Sequence, residues 1–260
     1  MSASPPLLHE TRDGIAWLTL NRPEARNALS RGLMSALEAA LGTIAADAAV
    51  KVVVIAGAGP VFCAGHDLRE IRAEPGREAY EALFAQCSRL MLQLVRLPKP
   101  VIARVHGVAT AAGCQLVASA DLAVAADTAR FATPGVNIGL FCSTPMVALS
   151  RAIGRKPAME MLLTGELIDA ARARELGLVN RVVPEAQLDD AVMTLARQIA
   201  AKSPLTLAIG KEAFYRQTEM GLDEAYAYAS ATMTRNMLAR DAEEGIDAFL
   251  DKRAPEWTGE

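Results

Sequence analysis

Apolar residues along this chain recur in two rhythms, and the rhythms alternate. "IAWLTL" at 15–20 reads as a strand that runs into the turn "NRPEARN". Ser30 then opens a helix whose apolar residues, Leu33, Leu37, Ala40, Leu41 and Ile44, fall at helical spacing. The β-branched run "KVVVIAG", 51–57, predicts a buried strand that empties into the glycine-rich "GAGPVFCAGHDLRE", which turns helical near Asp67. A helix is expected over roughly 77–96, ended by "LPKP". "PVIARVHG" and "DLAVAAD" predict two more strands, and "ARFATPGVNIGLFCSTP" a strand and a loop rich in turn formers. Beyond Pro145 helices are expected at 145–153, 155–163 and 169–175, then a short strand in "LVNRVVP" and a helix over about 185–201. Ser203-Pro204 has the form of an N-cap followed by proline at the first helical position, and helices at 221–236 and 239–252 complete the chain. The alternation predicts an α/β core over residues 1–202 and a helical segment over 203–260.

Composition narrows the class. The chain has 260 residues, 52% hydrophobic and 22% charged, which suits a well-filled core. A net charge of −3 argues against a nucleic-acid surface. The N-terminal stretch lacks the apolar region of a signal peptide, and no apolar run is long enough to span a bilayer, so no membrane partner is expected. Cys63, Cys87, Cys114 and Cys142 are scattered, with no CxxC spacing. Free thiols in the cytoplasm are expected; an organelle matrix reached through a trimmed leader would look the same. No His, Cys and carboxylate cluster has metal spacing, and "GAGPVFCAG" matches neither a phosphate loop nor a dinucleotide fingerprint.

Two segments share one shape: "VVVIAGAGPVFCAGHDL" and "VIARVHGVATAAGCQL". Each is a buried strand, a bend of small residues and a helix start. A helix start leaves backbone N–H groups unpaired, and small side chains let a ligand approach them. If both bends face one pocket, donors near His66 and Ala112 converge on one oxygen and stabilise an oxyanion. The alternative is that the small residues only permit tight strand–helix packing.

With "NRPEARNALS", "FATPGVNIGL" and "GELIDAARARELGLVNRVVP", these segments resemble the crotonase superfamily, the enoyl-CoA hydratase/isomerase family. The resemblance runs from about residue 10 to residue 253. It is strongest to the "enoyl-CoA hydratase domain-containing" branch, whose members carry similar "ATAAGCQL" and "PGVNIGLFCSTP" segments. It implies a spiral of ββα units, a C-terminal helical trimerisation segment, a homotrimer or dimer of trimers, and a part in acyl-CoA (fatty acid) metabolism. It implies no tightly bound cofactor but a coenzyme A thioester as substrate or ligand. Matched by motif, the thioester oxygen falls between the N–H groups of His66 and Ala112, although the family usually has glycine at the latter. Arg26, Ala28, Ala64, Asp67 and Leu68 fall along the coenzyme A route, and Phe249 and Lys252 are expected to reach a neighbouring subunit's ligand.

Hydratases of this family use two glutamates, one in a "GGCEL"-type motif and one after the proline of a "QPE"-type motif. Here those positions hold Gln115 and Gly135. An amide transfers no protons near neutral pH, so efficient hydration is not expected, and restoring both glutamates is expected to raise it. Glu160 and Glu166 lie beyond the motif and are not promoted as replacements. The ring of His66 is a candidate contact for the acyl chain or a substrate carboxylate, or simply packs. Asp67 reads first as a helix cap. Asn137, Cys142 and Ser143 fall where relatives vary their acids. His106 is expected to be structural, and His9 to belong to a mobile N-terminus. Three activities stay open: decarboxylation of a carboxyacyl-CoA through an enolate, non-catalytic acyl-CoA binding or regulation, and residual hydration.

Overall fold

A computed structural model describes residues 4–260. The strands are β1 (Leu7–Arg12), β2 (Ile15–Leu20), β3 (Val52–Gly57), β4 (Val101–Val105), β5 (Val108–Thr110), β6 (Leu122–Ala126), β7 (Arg130–Ala132), β8 (Ile168–Asp169) and β9 (Arg181–Val183). The helices are α1 (Arg31–Ala46), α2 (Leu68–Ala73), α3 (Arg77–Arg96), α4 (Ala112–Ser119), α5 (Ser143–Ala152), α6 (Arg155–Thr164), α7 (Ala170–Leu176), α8 (Leu188–Ala200), α9 (Pro204–Gln217), α10 (Leu222–Met237) and α11 (Arg240–Leu250).

One sheet runs β1-β2-β3-β4-β6-β9, parallel throughout except for the β1–β2 hairpin. A parallel strand covered on both faces needs apolar residues at every position, which explains "VVVIA" in β3. Val53 and Ile55 face the larger core, with Leu33, Leu37, Leu83, Leu90 and Leu116. Val52 and Val54 face the smaller one, with Ile102, Val124, Leu188 and Val192. A second sheet, β5-β7-β8, stands beside the first.

The cap signals act as the sequence implies. The Ser30 hydroxyl accepts the Leu33 N–H at 3.1 Å, and Ser203 accepts the Thr206 N–H at 3.1 Å. The strands over 15–20 and 51–57, the helix over 77–96 and the helices of the C-terminal segment fall where expected. The expectation that His9 lies in a mobile N-terminus is corrected: His9 sits in β1, opposite Leu18. Only Leu7 of that strand is even partly buried. The strand is held by its ladder, and ladder bonds leave no hydrophobic rhythm to read. The predicted helix over 185–201 begins as a 3₁₀ turn at Glu185–Gln187.

The C-terminal helices are tied to the core by one buried polar knot. Lys211 of α9 donates to Asp121 at 2.7 Å and to the Leu94 and Lys99 carbonyls at 2.9 and 3.0 Å. Asp121 also accepts the Tyr215 hydroxyl and the Val101 N–H. Burial draws the Lys211 pKa down, against the pull of Asp121.

Candidate functional site

The first bend, between β3 and α2, is pinned by Asn27. This buried residue has φ of 53°. Its Oδ1 accepts the Arg22 N–H at 2.9 Å, and its Nδ2 donates to the Ala58 and Val61 carbonyls at 2.8 and 2.7 Å. His106, structural as expected, holds the Gly59 carbonyl at 2.6 Å from its Nε2. Farther on, Leu29 donates to the Gly65 carbonyl and accepts from Asp67 N–H, so it faces His66 in a parallel bridge. Successive backbone groups of an extended chain point to opposite sides. The N–H of His66 itself therefore points away from Leu29, and it meets no acceptor among the described residues.

The second bend joins β5 to α4. Ala111 adopts φ 50° and ψ −120°, an unusual conformation for an L-residue, and its N–H is held by the Ala132 carbonyl at 2.9 Å. The helix begins at Ala112 with no side-chain cap, which leaves its leading N–H groups unpaired. The two bends touch. A Cβ built on Gly65 would lie 3.3 Å from the Ala112 nitrogen and 2.8 Å from the Ala111 Cβ. A Cβ on Gly113 would lie 2.1 Å from the Cys63 carbonyl oxygen. Tight packing is thus the reason for the small residues, and it also brings Gly65, the residue before His66, against the Ala112 nitrogen.

Two uncharged polar side chains, Gln115 and His66, belong to these bends. Gln115 is 4% exposed, and the only hydrogen bond of its side chain among the described residues is a long one from the Cys87 thiol to Oε1, at 3.9 Å. The His66 ring stands edge-on to Phe84, centroids 5.6 Å apart, and its Nε2 is buried without a partner. Burial pushes the His66 pKa down to about 4. Gly135 is buried as well: a Cβ there would meet the Leu140 carbonyl at 2.5 Å and the Cys142 sulfur at 2.9 Å. Burial raises the Cys142 thiol pKa and pushes Cys63, Cys87 and Cys114 up to about 12, so none of the four is a ready thiolate.

The remaining candidates sort by position. Asp67 caps α2, accepting the Arg69 and Glu70 N–H groups, and pairs with Arg22 at 2.8 Å. Burial alone would raise its pKa, but these donors outweigh burial and hold it low. Arg26 is exposed, and its carbonyl accepts the Ala64 N–H at 3.1 Å; the neighbouring Ala28 carbonyl accepts from Arg22. With half-exposed Leu68 these residues form one rim beside the first bend. Phe249, 82% exposed, and Lys252 lie instead at the end of α11, which packs on α9 and α10. Asn137 is exposed with its Nδ2 near Gly165, and the Ser143 hydroxyl donates to the Phe141 carbonyl. Glu160 and Glu166 line a groove over α6 and α7 that none of His66, Ala112 and Gln115 borders. No metal-binding cluster occurs among the described residues.

Sequence reasoning gave no site role to Phe84, Cys87 and Thr133. The first two are lost in the amphipathic pattern of α3. Thr133 has a fully buried hydroxyl without a partner, and it follows Ala132, the residue that holds Ala111. Asn27 carried a signal, since asparagine tolerates positive φ in a turn.

The His66 shift has a consequence for stability. Its folded-state pKa lies below the ordinary value of 6.5, so stability is whole above that value and is lost as pH falls toward 4. Denaturant titrations at descending pH are expected to show a loss on the order of 2 kcal/mol that His66→Phe abolishes. An unchanged slope in the variant would place the acid sensitivity elsewhere.

The sequence pattern described as enoyl-CoA hydratase/isomerase matches residues 10–260. The rat mitochondrial enoyl-CoA hydratase domain-containing protein 3 is 48% identical over 257 residues, 98% of this chain and 86% of that protein. A crystal structure of an enoyl-CoA hydratase from Mycobacterium smegmatis superposes with a TM-score of 0.96 at 57% identity, covering 98% of this chain and 99% of the other. The human domain-containing protein 3 superposes with a TM-score of 0.94 at 48% identity, covering 97% and 100%.

Proposed function

The chain belongs to the enoyl-CoA hydratase/isomerase family and has its crotonase fold, and from that premise we propose that it binds an acyl-CoA thioester and polarises the thioester carbonyl without hydrating an enoyl chain efficiently. One observation supports this reading: the N–H groups of His66 and Ala112 have no partner among the described residues, and the two bends that carry them touch at Gly65. Two fixed backbone donors stabilise negative charge developing on one oxygen and need no reorganisation when it forms. Enolate formation at the α-carbon is the chemistry such a pair favours. Addition of water also needs groups that move protons, and Gln115 and Gly135 supply none.

The rim of Arg26, Ala28, Ala64, Asp67 and Leu68 would take the coenzyme A moiety, the exposed Arg26 guanidinium supplying a cation. Asp67 contributes there as the cap that fixes α2. Phe249 and Lys252 would complete the site of a neighbouring subunit in a homotrimer or dimer of trimers built on residues 203–260. The strong exposure of Leu222, Leu238 and Phe249 in this segment supports that assembly. The compartment would be a reducing one, cytoplasm or, as for the relatives named mitochondrial, an organelle matrix; four free buried cysteines fit either.

The test is vibrational. Butyryl-CoA carrying a ¹³C-labelled thioester carbonyl is expected to bind, with its carbonyl stretch moved to lower wavenumber. Absence of binding, or binding with an unshifted stretch, would refute the proposal.

A further inference from the structure

What lies beyond the thioester can be read from the polar groups left without partners, and the reading rests on the acyl-CoA site just proposed. The His66 ring meets Phe84 and the Gln115 amide meets Cys87. Phe84 and Cys87 are three residues apart on α3, hence on one face of that helix. The imidazole and the amide therefore approach the same stretch of α3. Gln115 in turn is three residues after Ala112 on α4, on the face below that unpaired N–H.

Neither group is satisfied. His66 Nε2 is buried with no hydrogen bond, and a thiol at 3.9 Å is a weak claim on one end of the Gln115 amide, while its Nε2 donates to nothing among the described residues. Buried polar groups are ordinarily paired, so the orphaned His66 nitrogen asks for a ligand, and the Gln115 amide nitrogen, bonded to nothing among the described residues, is free to join it. No lysine or arginine bonds to either of them among the described residues, and the groups they meet are an aromatic ring and a thiol.

We propose that the His66 ring and the Gln115 amide are specificity determinants that receive an uncharged polar substituent of the acyl chain, a hydroxyl or carbonyl oxygen, and disfavour a carboxylate. The amide both donates and accepts, and a neutral imidazole does the same through its two nitrogens, so a hydroxyl finds a complement at either group. A carboxylate would enter without a counter-charge and lose its hydration. The low pKa of His66 keeps that ring uncharged at neutral pH.

Calorimetric titration of the full chain, in its own oligomeric state, with butyryl-CoA, 3-hydroxybutyryl-CoA and malonyl-CoA separates the outcomes. The hydroxy ester is expected to bind about tenfold tighter than the plain one, the worth of one good hydrogen bond, and malonyl-CoA weaker than both. In Gln115→Leu and in His66→Phe the ratio of hydroxy to plain ester is expected to fall toward one. Equal wild-type affinities for the hydroxy and plain esters, or tightest binding of malonyl-CoA, would overturn the proposal even if both variants failed to fold. A wild-type preference that survives both substitutions would overturn the assignment to these side chains. Failure of all three esters to bind would instead strike the thioester reading beneath it.

Discussion

Crotonyl-CoA is expected to leave this protein unhydrated, its enoyl absorbance decaying at close to the rate in buffer. General acid–base groups contribute about 10²–10⁴-fold to such reactions, and the two positions that would carry them hold an amide and a glycine. The structure sharpens this expectation and revises one of its corollaries. Restoring two glutamates looks straightforward in the sequence. At Gly135, however, even a Cβ would press on the Leu140 carbonyl at 2.5 Å and on the Cys142 sulfur at 2.9 Å. Backbone does not yield as a flexible side chain does. Gly135→Glu should therefore disturb the loop over 134–142 before it delivers a carboxylate, and Gln115→Glu combined with it should gain little. Gln115→Glu alone would place one carboxylate beside Cys87 and Cys114, where burial raises its pKa and no partner acid completes the pair. A brisk wild-type hydration rate would refute this account, because it would require a proton-transfer group other than these two.

Gly113→Ala should be among the most damaging single methyl additions in the molecule. The added carbon would fall 2.1 Å from the Cys63 carbonyl oxygen, and the bends would have to part to admit it. Overpacking costs typically about 1–3 kcal/mol, and a backbone obstacle at this distance puts the expectation at the upper end of that range. Chemical denaturation measures it, and acyl-CoA affinity should fall with it because the two N–H groups separate. Gly42→Ala is the comparison. Gly42 is interior to α1, where the nearest atom is a Gln93 side-chain nitrogen at 3.9 Å. That change should stabilise by about 0.5–1 kcal/mol, since alanine is the better helix former. If both substitutions behaved alike, the contact between the bends would be wrong.

Much of this could be read before any coordinates. Burial on two faces writes itself into "VVVIA", and Ser30 and Ser203 announce their helices because a cap needs a particular oxygen at a particular offset. The bends were legible for the same kind of reason: only small residues permit that approach. Illegible features depend on what comes near from a distance in sequence. β1 escaped notice because it is an almost wholly exposed edge strand. Phe84 and Cys87 look like any amphipathic positions until α3 is laid beside the bends. The obstruction at Gly135 depends on the path of residues 138–142, and no local pattern encodes it.

The knot of Lys211, Asp121 and Tyr215 has a mechanical meaning. Asp121 grips the Val101 N–H at the foot of β4, and β4 leads through His106 into the second bend. Peeling α9 from the body would break the Lys211 and Tyr215 bonds to Asp121 in one step, so the helix and the strand that Asp121 holds act as one lever. Strain applied to the far helices travels along that lever to the residues just before Ala112.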